Sequence, residues 1–235
     1  MNRVAQGIFK EGSIEKIARE KDNIDKWNSC VPGIAPKVYG YTSKHKTASL
    51  LVEFFPGCTL DEVFLNTNND IFENAVFILE SLLQDIWEKT KLNSPSKTGA
   101  VRQLIDRIPV IEGVHAHIFN GKKVIQGQSI SSSMELIQKC ADIEDKLICP
   151  FSVLLHGDFN TNNIIYNHEE QKINFMDLNR SQIGDYVQDA SVFIISNFRI
   201  PVFDRKGRGR LNKVIKYFYD FFPSLPDIIM IPNLR

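Results

Sequence analysis

The chain has 235 residues, with 28 basic and 28 acidic side chains and a formal charge of zero. That length can bury a core covering most of its apolar surface, and the charge balance leaves no long-range field to draw in nucleic acid or an anionic membrane. The four cysteines, Cys30, Cys58, Cys140 and Cys149, never form a C-x-x-C pair, and no apolar run reaches 18 residues, so zinc cages, disulfide frameworks and membrane spans are not indicated and a soluble, cytoplasmic chain with reduced thiols is expected. Composition does not specify an oligomeric state.

Val4 to Lys10 reads as a short strand. Gly12-Ser13 then opens a helical pattern, with Ile14, Ile17, Ala18, Ile24 and Trp27 at helical spacing. Glu20 falls on the same stripe. A carboxylate facing inward is costly unless a cation meets it, and Lys10 is the nearest candidate. After the turn in VPGIAPKV, the segments KVYGYT and ASLLVEF flank a polar SKHK and read as a hairpin. FPGCT breaks the run, and a boundary near Pro56-Gly57 divides a β-rich segment, 1–56, from a mainly helical one, 57–235.

Asp70 to Lys91 is a long amphipathic helix, with Phe72, Val76, Leu79, Leu83, Ile86 and Trp87 on one face. Between about Asn93 and Gln128 the pattern weakens, although HIFNGKKVI places Asn120-Gly121 between apolar flanks, a two-residue hairpin signal. His115 and His117 form an H-x-H pair on a predicted strand. With no third ligand nearby they read as structural rather than metal-binding. Ser132-x-x-Glu135 is a capping box opening the next helix.

The segment SVLL, the loop HGDFNTNN, the strand NIIYN, the turn HEEQ and the strand KINFMD then follow in order. Asp158 and Asn163 lie five apart, and Asp177 follows one hairpin later. This spacing lets three oxygen-bearing side chains converge. Oxygen ligands on a loop suit Mg²⁺, which takes one or two protein oxygens and completes its shell with water and phosphate. The basic run Arg205, Lys206, Arg208 and Arg210 reads as a solvated, glycine-loosened loop rather than an anion grip, and Tyr217, Phe218, Phe221 and Phe222 as packing.

H-x-D-x-x-x-x-N, a hairpin and an Asp resemble the catalytic loop and metal-binding Asp of the protein-kinase-like fold. HGDFNTNNII followed by FMDLNRSQIGDYVQDAS is similar to the aminoglycoside phosphotransferase and choline kinase group, as is LLVEFFPGCTL, so the likeness spans roughly Phe9 to Phe198. The resemblance implies an α+β, two-lobed protein-kinase-like fold and an ATP- or GTP-dependent phosphotransferase acting on a hydroxyl of a small molecule such as a sugar, amino alcohol or aminoglycoside. It implies Asp158 as catalytic base, Asn163 and Asp177 as Mg²⁺ ligands, and Lys10, paired with Glu20, on the nucleotide phosphates. The backbone of Glu53, Phe54 and Phe55 would meet the base. His156, Gly184, Asp185 and Asp189 would be structural. Asn162, where the group often has glycine, is expected in a left-handed conformation.

The same resemblance implies two strands and a phosphate-covering loop ahead of Lys10. Only nine residues precede it, which predicts an incomplete, truncated amino-terminal lobe. The alternative function is therefore a non-catalytic module that binds a nucleotide or a partner. A metallophosphoesterase fails on spacing, since no D-x-H occurs and GDYVQD has the wrong interval.

Overall fold

The computed structural model describes residues 6–115, 119, 121 and 123–230. It divides into two compact units, one formed by Met1–Lys91 with Val153–Arg235 and the other by Leu92–Ser152.

The first unit begins with β1 (Gly7–Ser13), α1 (Ile14–Cys30), β2 (Val38–Lys44) and β3 (Thr47–Glu53). The three strands form an antiparallel sheet in the order β1-β3-β2, with Lys10 opposite Leu50. The hairpin read at SKHK is present and turns through His45 at φ 57°. Alternation along β3 buries Ala48, Leu50 and Val52 on one face. The opening strand lies later than expected, running from Gly7, while Val4 is outside the described residues.

Ser13 caps α1 by accepting from the Lys16 backbone N–H at 3.4 Å, and the helix buries Ile17, Glu20, Ile24 and Trp27 as its spacing requires. The chain continues through β4 (Cys58–Thr59), α2 (Leu60–Asn66) and the long α3 (Asn69–Thr90). Asn68 caps α3, and Val76, Leu79, Leu83, Ile86 and Trp87 are buried along it.

Leu92–Ser152 holds α4 (Ala100–His115), β5 (Lys123–Ile125), β6 (Gln128–Ile130) and α5 (Ser133–Glu144). The capping box is formed by Ser132 and Glu135. At the other end of α5, Glu144 accepts from Thr98 Oγ1 at 2.7 Å and from the Ala100 and Val101 N–H groups at 2.8 and 3.0 Å, so it caps α4. Its small burial alone would raise the carboxyl, but these donors outweigh that and hold it below its ordinary value.

A two-residue turn, Gln126-Gly127, both at positive φ, joins β5 and β6; the turn expected at Asn120-Gly121 rests on Asn120, which lies outside the described residues. His115 ends a helix rather than sitting on a strand, and His117 is outside the described residues. The helix α4 escaped the pattern because it buries no residue and carries Pro109 inside, so no core-facing stripe was required.

The first unit resumes with β7 (Val153–Leu155), β8 (Ile164–Asn167), β9 (Lys172–Phe175), β10 (Gln182–Gly184), α6 (Val187–Arg199) and α7 (Arg205–Met230). β4, β8 and β9 form one antiparallel sheet, and β7 pairs with β10. The basic run is not a loop but the first turns of α7. Arg208 donates to the carbonyls of Ile200 at 2.6 Å and Val202 at 2.9 Å, just beyond α6, while Arg210 donates to the Phe64 carbonyl and lies 4.6 Å over the Phe72 ring. Carbonyls left over at helix ends are natural partners for guanidinium groups.

An aromatic core joins α2, the segment after β7, α6 and α7. Phe193 is its hub, with ring centroids 4.7 Å from Phe218, 5.6 Å from Phe159 and 6.5 Å from Phe64. Phe218, Phe221 and Phe222 are packing residues as read, whereas Tyr217 is exposed and bonds Glu80. Phe193→Ala is expected to cost about 3–5 kcal/mol, read from chemical denaturation midpoints.

Candidate active site

The loop His156–Asn163 leaves the buried strand β7 and enters β8. Its first bend is at Gly157, with φ +81°. A Cβ there would lie 2.1 Å from the Arg180 carbonyl oxygen, so both the left-handed backbone and the close approach of main chain require glycine. Asp189, buried on α6, holds the bend by accepting from the backbone N–H of His156 at 2.6 Å and of Gly157 at 2.9 Å. Asp158 follows with its side chain 29% exposed, the Arg180 Nη1 standing 3.7 Å from its Oδ2.

The rest of the loop is a 3-10 turn, Thr161–Asn163, and a hairpin in which Ile164 faces Phe175. That register continues one residue outward, because the Met176 N–H donates to the Asn163 carbonyl at 2.9 Å. Asp177 comes immediately after, in a left-handed conformation with φ 57° and ψ 52°. Asn163 donates its Nδ2 to the Asp158 carbonyl at 2.8 Å, which turns its Oδ1 the other way as an acceptor. One amide oxygen and one carboxylate at the same hairpin end suit a hard cation that keeps water or phosphate in its remaining positions. Among the described residues no three His, Cys, Asp or Glu side chains are grouped to hold a metal ion, so such a cation would depend on its other ligands.

Lys10 reaches this end from β1. Its Nζ is 2.5 Å from Glu20 Oε1 and bonds Asp177 Oδ1 as well. Burial would lower the ammonium's pKa, but the hydrogen bonds and charges of Asp177 and Glu20 outweigh it and hold Lys10 above its ordinary value. A narrow cleft beside the three charges is lined by Ile8, Ile24, Val52, Glu53, Met176 and Leu178. As it stands the cleft has a free volume of about 10 Å³, room for roughly one water molecule, so anything as large as an aromatic base would enter only if its walls moved apart.

The model of the ecdysteroid kinase-like family matches residues 89–220, more than half of the chain and all of the loop, hairpin and Asp189. The chain belongs to the ecdysteroid kinase-like family. In fold it is similar to the aminoglycoside phosphotransferase APH(3'')-Id from Streptomyces rimosus, solved with ADP and streptomycin, at 16% identity and a TM-score of 0.59, covering 95% of this chain and 86% of that one. It is also similar to an aminoglycoside-3'-phosphotransferase of type VIII, at 15% identity and a TM-score of 0.55 over 95% and 85% of the two chains. The fold is the α+β, protein-kinase-like one of these enzymes. No curated protein matches the sequence.

Within this member of the family, Lys10, Glu20 and Asp177 come together directly, and Asn163 and Asp158 are joined through a side-chain bond to main chain. The Glu53 N–H donates to the Lys37 carbonyl and the Phe54 N–H to Gln6, so these two donors are engaged within the protein. Phe54 is exposed and Phe55 half-buried. Asp185 accepts from the Val187 N–H at 3.0 Å at the start of α6, and Gly184 lies where a Cβ would crowd Leu155. Asn162 is not left-handed; it sits inside the 3-10 turn, and the positive φ angles near the site belong to Gly157 and Asp177.

A set of links between α1 and the residues after Asp177 has no counterpart among the sequence motifs. Asn23 donates to the carbonyls of Leu178 at 2.7 Å and Ser181 at 3.2 Å, while Trp27 Nε1 donates to Ser181 Oγ at 2.7 Å. The available signal was position: Asn23 lies three residues after Glu20 and four before Trp27, on the inward stripe. Arg180 carried no such signal.

His156 is fully buried, its ring 5.7 Å from both Phe159 and Phe175 and 6.5 Å from Trp27. Nδ1 accepts from the Asp158 N–H at 3.3 Å, so the neutral ring carries its proton on Nε2. Burial drops its pKa to about 4 and pushes the Asp189 carboxyl up to about 7, the latter against its two N–H donors. The depressed His156 contributes stability present above its unfolded value near 6.5 and lost as pH falls toward 4. The raised Asp189 contributes stability present below 3.8 and lost as pH rises through about 7. The two trends oppose each other over the same window. Melting temperatures measured from pH 4 to 7 should show the wild-type advantage over His156→Gln growing with pH and the advantage over Asp189→Asn shrinking.

Proposed function

We propose that the chain is a phosphotransferase that moves the γ-phosphoryl group of ATP or GTP to a hydroxyl of a small molecule. The observation that carries this reading is the hairpin register that sets Asn163 and Asp177 at one end, next to Lys10 and in the same loop as Asp158. Membership of a kinase-like family, and a similar fold in an enzyme solved with ADP and streptomycin, support it.

In this reading the base of the nucleotide enters between Ile8, Val52 and Met176 after these walls part, because the cleft as it stands holds no more than about one water molecule. Residues 1–56, with β1–β3 and α1, act as the nucleotide lobe, and residues 57–235 supply the catalytic loop. Lys10 keeps its bond to Glu20 and exchanges Asp177 for phosphate oxygens, which releases the Asp177 carboxylate. Asn163 and Asp177 would hold Mg²⁺, which supplies charge neutralisation on the phosphates when bound. Asp158 orients the acceptor hydroxyl and takes its proton as that oxygen bonds to the γ-phosphorus and the bond to the nucleoside diphosphate breaks. Arg180, 3.7 Å from the same carboxylate, adds positive charge where negative charge is being moved. Sugars, amino alcohols and aminoglycoside-like polyols are the acceptor classes to screen, together with polyhydroxylated sterols, which the family's name brings in.

Release of ADP in the presence of Mg²⁺, followed across such a panel, should identify an acceptor, and Asp158→Asn should lower kcat by roughly 10²–10⁴-fold. Asp177→Ala should remove the Mg²⁺ dependence of nucleotide binding in calorimetry. Nucleotide binding with no turnover for any acceptor would instead establish the binding-module alternative, and an Asp158→Asn protein as fast as wild type would overturn the assigned base.

A further inference from the structure

Asn160 has no part in the reaction as described, yet its Nδ2 donates to Asp158 Oδ1 at 2.6 Å. The residue is held on both sides. Its backbone N–H donates to the Asp158 carbonyl at 2.7 Å, and its own carbonyl accepts from the Asn163 N–H at 3.0 Å, which closes the 3-10 turn. The side chain therefore leaves from a fixed point of the loop and ends on one chosen oxygen of the carboxylate.

The two oxygens of Asp158 are thereby made different. Oδ1 receives a short bond from a neutral amide, while Oδ2 faces the Arg180 guanidinium at 3.7 Å, beyond hydrogen-bond length. A carboxylate on a loop can rotate about its side-chain torsions, and each rotation presents a different lone pair. A donor fixed on Oδ1 removes that freedom and leaves Oδ2 as the oxygen that can meet an incoming hydroxyl. Catalysis that depends on position is sensitive to such orientation.

The bond is not a by-product of core packing. Asn160 is half-buried and lines a polar hollow of about 290 Å³ together with Asp61, Thr161, Asn162, Ser196 and Arg199. Its replacement should leave the hydrophobic core of the loop, formed by His156, Phe159 and Phe175, intact.

We propose that Asn160 is a positioning residue that fixes the Asp158 carboxylate so that Oδ2 faces the acceptor hydroxyl. This rests on the phosphotransferase reading, and on Asp158 as its base. The test uses two near-isosteric variants of the full chain, Asn160→Leu and Asn160→Asp, assayed by Mg-ATP turnover with the acceptor found in the panel, or with water as acceptor. Removing a hydrogen bond to a charged group should lower kcat by about 10- to 100-fold in Asn160→Leu, with the KM for Mg-ATP within about twofold of wild type and an unchanged melting temperature. Asn160→Asp, which sets a second carboxylate against the first, should lose more, and it serves as the measurement if the leucine variant does not fold.

The decisive comparison is the double variant. If Asn160 acts through Asp158, then Asp158→Asn/Asn160→Leu should be no slower than Asp158→Asn alone. Multiplying losses, a raised KM at constant kcat, or full activity in both single variants would overturn the inference while leaving Asp158 as base. A wild-type chain without turnover, or one indifferent to Asp158→Asn, would take down the phosphotransferase reading and this inference with it.

Discussion

The candidate site depends first on one buried carboxylate. Asp189 lies in α6, and its two oxygens accept from successive backbone N–H groups, those of His156 and Gly157. In an extended chain successive N–H groups point to opposite sides, and the bend at Gly157, φ +81°, turns these two toward one carboxylate. A buried carboxyl is expensive to place, and two N–H donors are a strong compensation for it. The position of Asp158 one residue later follows, because the preceding two residues have no freedom to move without uncovering Asp189. Removing the carboxylate would strand both donors in a region with no access to water.

A second set of contacts ties α1 to the residues around Asp177. Lys10 spans Glu20 and Asp177, Asn23 reaches the carbonyls of Leu178 and Ser181, and Trp27 reaches the Ser181 hydroxyl, which itself donates to the Leu155 carbonyl at 2.6 Å. The chain of bonds runs from helix to post-hairpin segment to the strand that delivers His156. Glu20 is 2% exposed, so its charge depends on Lys10 whatever Asp177 does. In the proposed phosphotransferase reading, this asymmetry would let the lysine turn toward a phosphate without stranding the buried glutamate.

Much of this was legible in the sequence because it rests on periodicity and spacing. Ile17, Glu20, Ile24 and Trp27 declare an inward helix face, and an inward glutamate calls for a cation, which Lys10 supplies. The hairpin carrying Asn163 and Asp177 was visible as two short apolar runs around HEEQ. What stayed hidden falls into two kinds. Some elements bury nothing, as with α4, so no pattern was imposed on them. Other links are single polar side chains meeting main chain or a neighbouring carboxylate, as with Asn23, Arg208 and Asn160, and hydrogen bonds of that sort leave no periodic trace. The expected left-handed residue was likewise placed at Asn162 on grounds of type, whereas it is the hairpin exit that forces Asp177 into that region.

The close approach at Gly157 limits how the loop could ever be remodelled. What a side chain there would strike is the carbonyl of Arg180, not its guanidinium. Every amino acid carries the same carbonyl, so no exchange at 180 could make room for a methyl group at 157. The reverse does not hold: an exchange of the side chain at 180 leaves this main-chain approach as it is. Steric tolerance is thus one-sided across this contact: position 157 is fixed by main chain, whereas position 180 is constrained only through its charge beside Asp158.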